Sequence, residues 1–395
     1  MRAHRGSSTT VTGRGGHISL VLPRHVYVHV PFCARRCVYC DFSIAVRRDV
    51  PVDDYVAAIA AELGTRFATQ ESWSASTFYL GGGTPSRLGG EGVARLMETL
   101  TRRITPAGDA EVTLEANPDD VNEASARAWR DAGINRLSLG AQSFDDETLR
   151  WMHRTHDAAQ IPRAVDAARR AGIDDVSVDL IFSLPEQLNR SWRDDLEQAL
   201  ALEPTHVSLY GLTVEPHTPL GRWRERGDVV ESPDERYESE FLTAHETLGA
   251  AGFEHYEVSN FARPGRRARH NSGYWERVPY VGIGPSAHGF DGQERRWNEA
   301  AYVEWARRVA DWTDPVAGSE SLDAESVLAE DAYLGLRTTG GLRIDDAERE
   351  RVAAWVGQGW ATLAEPNRLV LTPSGWLRLD ALTAALTVER SRYYV

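Results

Sequence analysis

Cys33, Cys37 and Cys40 are the only thiols in 395 residues, and they fall within eight positions. An odd, small number of cysteines in a long chain is not a disulfide framework, and it reads as a protein of a reducing compartment, the cytoplasm. So tight a grouping means that the thiols act together. A thiolate loop of this size can wrap one metal centre. Structural zinc wants four ligands, and the chain has no fourth cysteine and no histidine at finger spacing. His29 precedes Cys33 by four positions, on a strand whose geometry makes it a poor fourth ligand. A cubane [4Fe–4S] cluster normally takes four thiolates, so three would leave one iron open to a small molecule.

Polar residues recur at similar places further along. Gly81, Gly82, Gly83 and Thr84 close an apolar run, and glycines there let a backbone approach a ligand closely. Glu115 ends the next run, Gln142 follows another, and Asp179 sits inside a third. Such groups are costly in a strand without partners. They either tie strand ends together or face a polar ligand, and their gathering at one face favours the ligand. His270-Asn-Ser-Gly-Tyr274-Trp275 sets an imidazole beside aromatics, which suits either a porphyrin, since imidazole ligates haem iron and rings cover the macrocycle, or a hydrogen-bonded structural histidine. Arg263, Arg266, Arg267 and Arg269 upstream would pair with carboxylates or simply face solvent. Gly282-Ile-Gly284-Pro-Ser-Ala287 has the form of a dinucleotide fingerprint, but Pro285 and the lack of a following βαβ unit argue against it.

These residues need a scaffold that brings strand ends together. Strands are expected at 25–30, 76–81, 111–116, 136–140, 176–181 and 206–211. Helices are expected near 52–69, 90–103, 122–132, 145–152, 160–171 and 190–202. Five β-to-β connections that each carry a helix mean parallel strands with right-handed crossovers. A further helix near 234–250 and a strand at 254–258 complete a partial or full (β/α) barrel, whose active face is at the strands' C-terminal ends. The expected division is a disordered tail over 1–24, a barrel core over 25–260, a linker with site loops over 261–299, and a mainly helical C-terminal domain over 300–395. Helices followed by a hairpin around 360–372 give that last domain a winged-helix look.

Composition excludes several classes. All 44 basic residues are arginine, which rules out a lysine Schiff base and a phosphate loop ending in Gly-Lys. Net charge is −14, and residues 320–395 hold 12 acids against 8 arginines, so nucleic acid is not an expected partner. No apolar run reaches the length of a membrane span.

The pattern Cys33-x-x-x-Cys37-x-x-Cys40, with Tyr39 before the last cysteine, resembles the radical S-adenosylmethionine superfamily. That resemblance implies a [4Fe–4S] cluster on the three cysteines, with the methionine moiety on the open iron. Tyr27-Val-His-Val-Pro-Phe-Cys33, Glu115-Ala-Asn-Pro118, Ser138-Leu-Gly-Ala-Gln-Ser-Phe144 and Asp179-Leu-Ile-Phe-Ser-Leu-Pro185 are similar to the oxygen-independent coproporphyrinogen oxidase group, which includes a haem-chaperone branch. By the resemblance, S-adenosylmethionine would contact Tyr27, Tyr39, Gly82, Gly83, Thr84, Glu115, Gln142, Arg154 and Asp179. Phe42 stands where the oxidase pattern has a further cysteine, and the His-Asn-x-x-Tyr-Trp motif at 270–275 is that of the chaperone branch. The resemblance therefore implies a protein that carries haem, with His270 as its ligand, serves haem-acceptor proteins and draws on an electron donor. Oxidative decarboxylation of coproporphyrinogen III, or another radical reaction on a porphyrin, is the competing expectation.

Overall fold

The computed structural model describes residues 23–364 and 367–394. The expected tail over 1–24 thus falls almost wholly outside the described residues.

Six parallel strands lie side by side in chain order: β1 (His25–Val30), β2 (Trp73–Gly82), β3 (Ile104–Ala116), β4 (Arg136–Gln142), β5 (Asp175–Phe182) and β6 (His206–Gly211). The helices between them include α1 (Val52–Arg66), α2 (Gly89–Thr101), α3 (Glu123–Asp131), α4 (Asp146–Trp151), α5 (Gln160–Arg170) and α6 (Trp192–Ala201). Local chemistry starts several of them. Asn122 and Ser125 form a reciprocal capping box on α3, and the side chains of Asp145 and Ser191 cap α4 and α6.

Each strand alternates residue by residue, and the two faces differ in kind. One set (Val26, Val28 and Val30 on β1, Leu137 and Leu139 on β4, Val176 and Val178 on β5) packs in a single apolar core with Tyr55 and Ile59 of α1, Leu96 of α2 and Trp129 of α3. Each such burial contributes about 1.5–3 kcal/mol, which holds the helices on the sheet. The other set faces the interior and is mostly polar: His25, Tyr27 and His29, then Thr77 and Tyr79, then Glu111, Thr113 and Glu115, then Ser138, Asp179 and Tyr210, with Ile181 an apolar exception. A barrel interior packed for stability would hold Val, Ile and Leu there. This one is built to be lined with hydrogen bonds.

The barrel is open. Beyond β6 lie Asn260–Ala262 and Glu254–Glu257, both antiparallel; beyond β1 lie Tyr280–Ile283, parallel, and then His288–Phe290, Glu294–Asn298 and Val316–Ser321. Residues 270–298, expected as loops, are therefore a helix (Arg269–Trp275) and three strands. The boundary expected at 300 falls inside the core. Val316–Ser321 pairs with Glu294–Asn298, and Trp305 of the helix Tyr302–Ala310 donates its indole N–H to Glu62 of α1 at 2.9 Å. A smaller unit follows. It has helices Ala324–Leu336, Asp346–Gly357 and Leu379–Tyr394 around a three-stranded antiparallel sheet, in keeping with the winged-helix expectation. Among the described residues no helix is long and apolar enough to cross a membrane.

Candidate functional site: a polar cavity at the strand ends

The cysteine loop leaves the C-terminal end of β1 and doubles back on itself. Phe32–Cys33 pairs in parallel with Ala45–Val46, and the Arg47 amide donates to the Cys33 carbonyl at 2.9 Å. Midway, Val38 is fully buried among Val214, Leu220 and Val229, with its amide on Met152 O and its carbonyl accepting from Leu220. The loop is therefore held at both ends and at its centre. Its three thiols line a cavity of about 380 Å³, within the size range of cofactor sites.

Every residue expected from the sequence lines this cavity except two: Tyr39, Gly82, Gly83, Thr84, Glu115, Gln142, Arg154 and Asp179 stand around it with the cysteines. Gly82 has φ +109°, and a Cβ there would lie 2.6 Å from the His29 ring; at Gly83 it would lie 2.7 Å from the Pro31 backbone. The glycines are thus required for close approach of two backbone segments beside the thiols. Gln142 adopts φ +68° where the β4–β5 register shifts, a bulge that re-aims its side chain, and its Oε1 is buried without a partner. Arg154 donates to Asn117 Oδ1 and Gly140 O, both at 2.6 Å, and to Cys37 Sγ at 3.5 Å. Asp179 accepts from the Ser138 and Ser177 hydroxyls.

Glu115 accepts from the Tyr79 hydroxyl at 2.7 Å and from the Gly82 amide at 3.1 Å. Burial, with Asp179 as a like-charged neighbour, pushes its carboxyl up to about 7 despite those two donors. A cation bound beside it would restore its charge. Burial likewise pushes the Cys33 thiol up and the Cys40 thiol up to about 11, so a bare thiolate is costly there and a bound iron would remove the cost. Among the described residues no three His, Cys, Asp or Glu groups converge tightly enough for a single metal ion. A cubane spreads its ligands over separate irons, so three thiols set around a cavity fit it, with the orphaned Gln142 oxygen and Glu115 left for a polar ligand.

The two exceptions lie deeper in the barrel. Tyr27 donates to or accepts from His29 Nδ1 at 3.1 Å and stacks on Tyr79, beneath the cavity. His270 is fully buried at the opposite end, with Nδ1 on the Thr77 hydroxyl at 2.7 Å and Nε2 on the Tyr274 hydroxyl at 2.8 Å. The Arg269 and His270 amides, both at 2.9 Å, donate to the two oxygens of Glu111, so this helix end plugs the barrel floor. Both imidazole nitrogens are taken, and burial lowers the ring's basicity to a pKa of about 3. Of the two expectations for His270, haem ligand and hydrogen-bonded structural histidine, its buried place among Thr77, Tyr79 and Tyr274 is in keeping with the second. Arg263, Arg267 and Arg269 are also engaged, with Ala251 O, Glu254 and Asp109 respectively. Asn117, Ser138, His153 and Tyr210 also line the cavity and were not singled out from the sequence. For Ser138 and Tyr210 the signal was the strand alternation that puts them in phase with the interior face.

An open (β/α) barrel with a three-cysteine loop on a polar cavity at its strand ends defines the radical S-adenosylmethionine class, and the Radical SAM superfamily pattern matches residues 27–199. Membership implies a [4Fe–4S] cluster and S-adenosylmethionine. The chain is 38% identical over 370 residues to Heme chaperone HemW of Mycobacterium tuberculosis, covering 92% of this chain and 95% of that protein. It is 33% identical over 320 residues to Heme chaperone HemW of Bacillus subtilis, covering 81% and 84%. Among solved structures, coproporphyrinogen III oxidase (HemN) from Escherichia coli, a radical SAM enzyme, superposes with a TM-score of 0.78 at 22% identity, covering 93% of this chain and 91% of that one. That likeness shows the fold. The chain belongs to the HemW family.

Proposed function

We propose that the protein binds haem and passes it to acceptor proteins, on a core that carries a [4Fe–4S] cluster and S-adenosylmethionine. The observation that carries the reading is the convergence of Cys33, Cys37 and Cys40 with Glu115, Gln142, Arg154 and Asp179 on one cavity, in a chain whose relatives are named haem chaperones. The three thiolates hold the cluster. Gly82, Gly83 and Thr84 would give the methionine cofactor a backbone to lie against, and Glu115, Gln142 and Asp179 would offer it acceptors. When bound, cluster and cofactor together supply one-electron chemistry, fed by an external electron donor. Tyr39 and Arg154 close the cavity around the thiols, and Tyr27 holds His29 and Tyr79 in place from below.

The strand pairing supports a core to about residue 321, with a C-terminal unit packed against it through the Arg337–Glu257 ion pair and the His255–Trp376 contact. A cytoplasmic location suits the three unpaired thiols. Oxidation of coproporphyrinogen is the weaker reading, because Phe42 presents a 60% exposed phenyl ring at the cavity mouth where a further thiol would be wanted. The test is anaerobic incubation of cluster-loaded protein with coproporphyrinogen III, S-adenosylmethionine and a reductant, beside retention of haem through gel filtration. Retained haem with no protoporphyrinogen IX is the expected result. Turnover that depends on Cys33 would replace the chaperone by the oxidase.

A further inference from the structure

Two of the strands that end at the cavity do so through left-handed residues that are not glycine. Gln142, the last residue of β4, has φ +68°, and the Ser143 amide donates back to the Ala141 carbonyl at 2.9 Å. That is a γ-turn of the rare, strained kind, with Gln142 at its centre. The buried His156 donates its Nε2–H to the same Ala141 carbonyl at 3.1 Å. Ser183, one residue past β5, has φ +57°. Such backbone persists only where neighbouring groups over-determine it. One buried set of charges holds both turns. Asp195, in the first turn of α6, accepts from the Phe144 amide at 2.7 Å and from the Ser143 hydroxyl at 3.0 and 3.1 Å. Glu240, on the helix Asp234–Ala250, accepts from the Ser183 amide at 2.6 Å. Arg190 lies between the two carboxylates, 3.4 Å from Asp195 and 3.2 Å from Glu240, and donates to the Ile181 carbonyl at 3.4 Å. Arg236 also pairs with Glu240, at 2.9 Å.

We infer that Asp195 is a positioning residue for the methionine-cofactor site: with Arg190 and Glu240 behind it, it holds the strained turn that aims Gln142 into the cavity. The inference rests on the reading of Gln142 as a cofactor contact. Asp195, Arg190 and Glu240 are all buried, and none of them lines the cavity. Stability alone does not account for them. Burial pushes the Asp195 carboxyl up to about 6, although Arg190, the Phe144 amide and the Ser143 hydroxyl all oppose that rise. Arg190 leaves its Nε without a hydrogen-bond acceptor. Replacing a buried ion set of this kind by packed apolar side chains is often neutral or stabilising, so its presence points to a fixed geometry. The geometry fixed here is the strained one. At the centre of the turn stands a side chain whose Oε1 is buried without a partner, on the same cavity as the three thiols. A carboxylate that grips the two residues after Gln142, and an imidazole that grips the one before it, leave the turn no room to relax.

The test is Asp195→Asn, which keeps the shape and one acceptor oxygen but loses the charge that draws Arg190. Amide hydrogen exchange of the cluster-free chains is read first, by mass spectrometry. Exchange at Ser143 and Phe144 should be roughly tenfold faster in the variant while that of β1 is unchanged, which separates a loosened turn from a general loss of stability. Arg190→Met, which leaves both carboxylates in place, should speed the same two amides. Calorimetry of the cluster-loaded chains with S-adenosylmethionine is read second. Asp195→Asn should weaken binding by roughly tenfold, the worth of one hydrogen bond to a charged group. Gln142→Ala should lose as much, and the double variant should lose no more than either single one, because both changes act on one contact. Unchanged exchange at Ser143 and Phe144 would overturn the inference. So would native affinity in Asp195→Asn, or losses that add in the double variant. A native chain that binds no S-adenosylmethionine would sink the cofactor reading alone, and the exchange measurement would still decide whether Asp195 holds the turn.

Discussion

Replacing Glu115 with glutamine should stabilise the cluster-free protein at pH 8 and leave it no more stable at pH 4. Burial holds the Glu115 carboxyl up at about 7, against an ordinary value of 4.5. Between those values the folded chain keeps a proton that the unfolded chain has lost. Folding stability from this group is therefore complete below about pH 4.5 and falls as pH rises towards 7, flattening beyond. A gap of that size corresponds to about 3 kcal/mol. Glu115 faces the cavity and keeps part of its surface wet, so about half, roughly 1–2 kcal/mol, is the expected plateau. Glutamine removes the ionisation but can accept from only one of Tyr79 and Gly82 with its single oxygen, a pH-independent loss of about 1 kcal/mol. The assay is urea unfolding of both cluster-free proteins at half-unit steps from pH 4 to 9. The variant's stability relative to the native chain should climb between about pH 5 and 7.5 and then level. A difference that stays constant across that range would refute a buried, uncompensated carboxylate in this cavity.

The same carboxyl sets the sign of cofactor binding: calorimetric affinity of the cluster-loaded protein for S-adenosylmethionine should rise as pH passes through 7 and Glu115 ionises, and a flat profile would remove Glu115 from the cofactor contacts. Cys37→Ala should lower bound iron from about four per chain to near none, since two thiolates cannot hold the cubane; a retained broad visible band would contradict the ligand set. His270→Phe severs the contacts to Thr77 and Tyr274 and should cost about 2–4 kcal/mol in urea unfolding. Haem bound to its folded fraction should keep the native Soret band, and a shifted band would return the imidazole to the iron.

The order of strands and helices was legible in the sequence because each crossover is local. The run from His25 to Val30 and the one from His206 to Gly211 end where the sequence pattern ends them. The thiol loop was legible because its spacing is short and its placement after β1 follows from the chain alone. What escaped was long-range. The strand Tyr280–Ile283 pairs with β1, some 250 residues earlier, and nothing local in Tyr-Val-Gly-Ile announces that partner. Val316–Ser321 is an exposed edge strand with only one apolar branched residue, too weak a pattern to separate from loop. The role of His270 was left open between two readings for a related reason. An imidazole among aromatics looks the same in sequence whether it opens to a ligand or plugs a barrel, and only Glu111, Thr77 and His25, brought from three other segments, decide between them. One signal was present and unused. The alternation in His-Val-Tyr-Val-His-Val, Glu-Val-Thr-Leu-Glu and Val-Ser-Val-Asp-Leu marks a polar interior face, and with it a lined cavity rather than a packed one.

Haem binding by the intact, cluster-loaded chain tests the central claim most directly. Anaerobic titration with haem, followed at the Soret band against the broad cluster absorbance, should saturate near one haem per chain with the cluster band unchanged. Absorbance that grows linearly past several equivalents with no shift from free haem would mean that the chain carries none, and the haem-chaperone reading would fall.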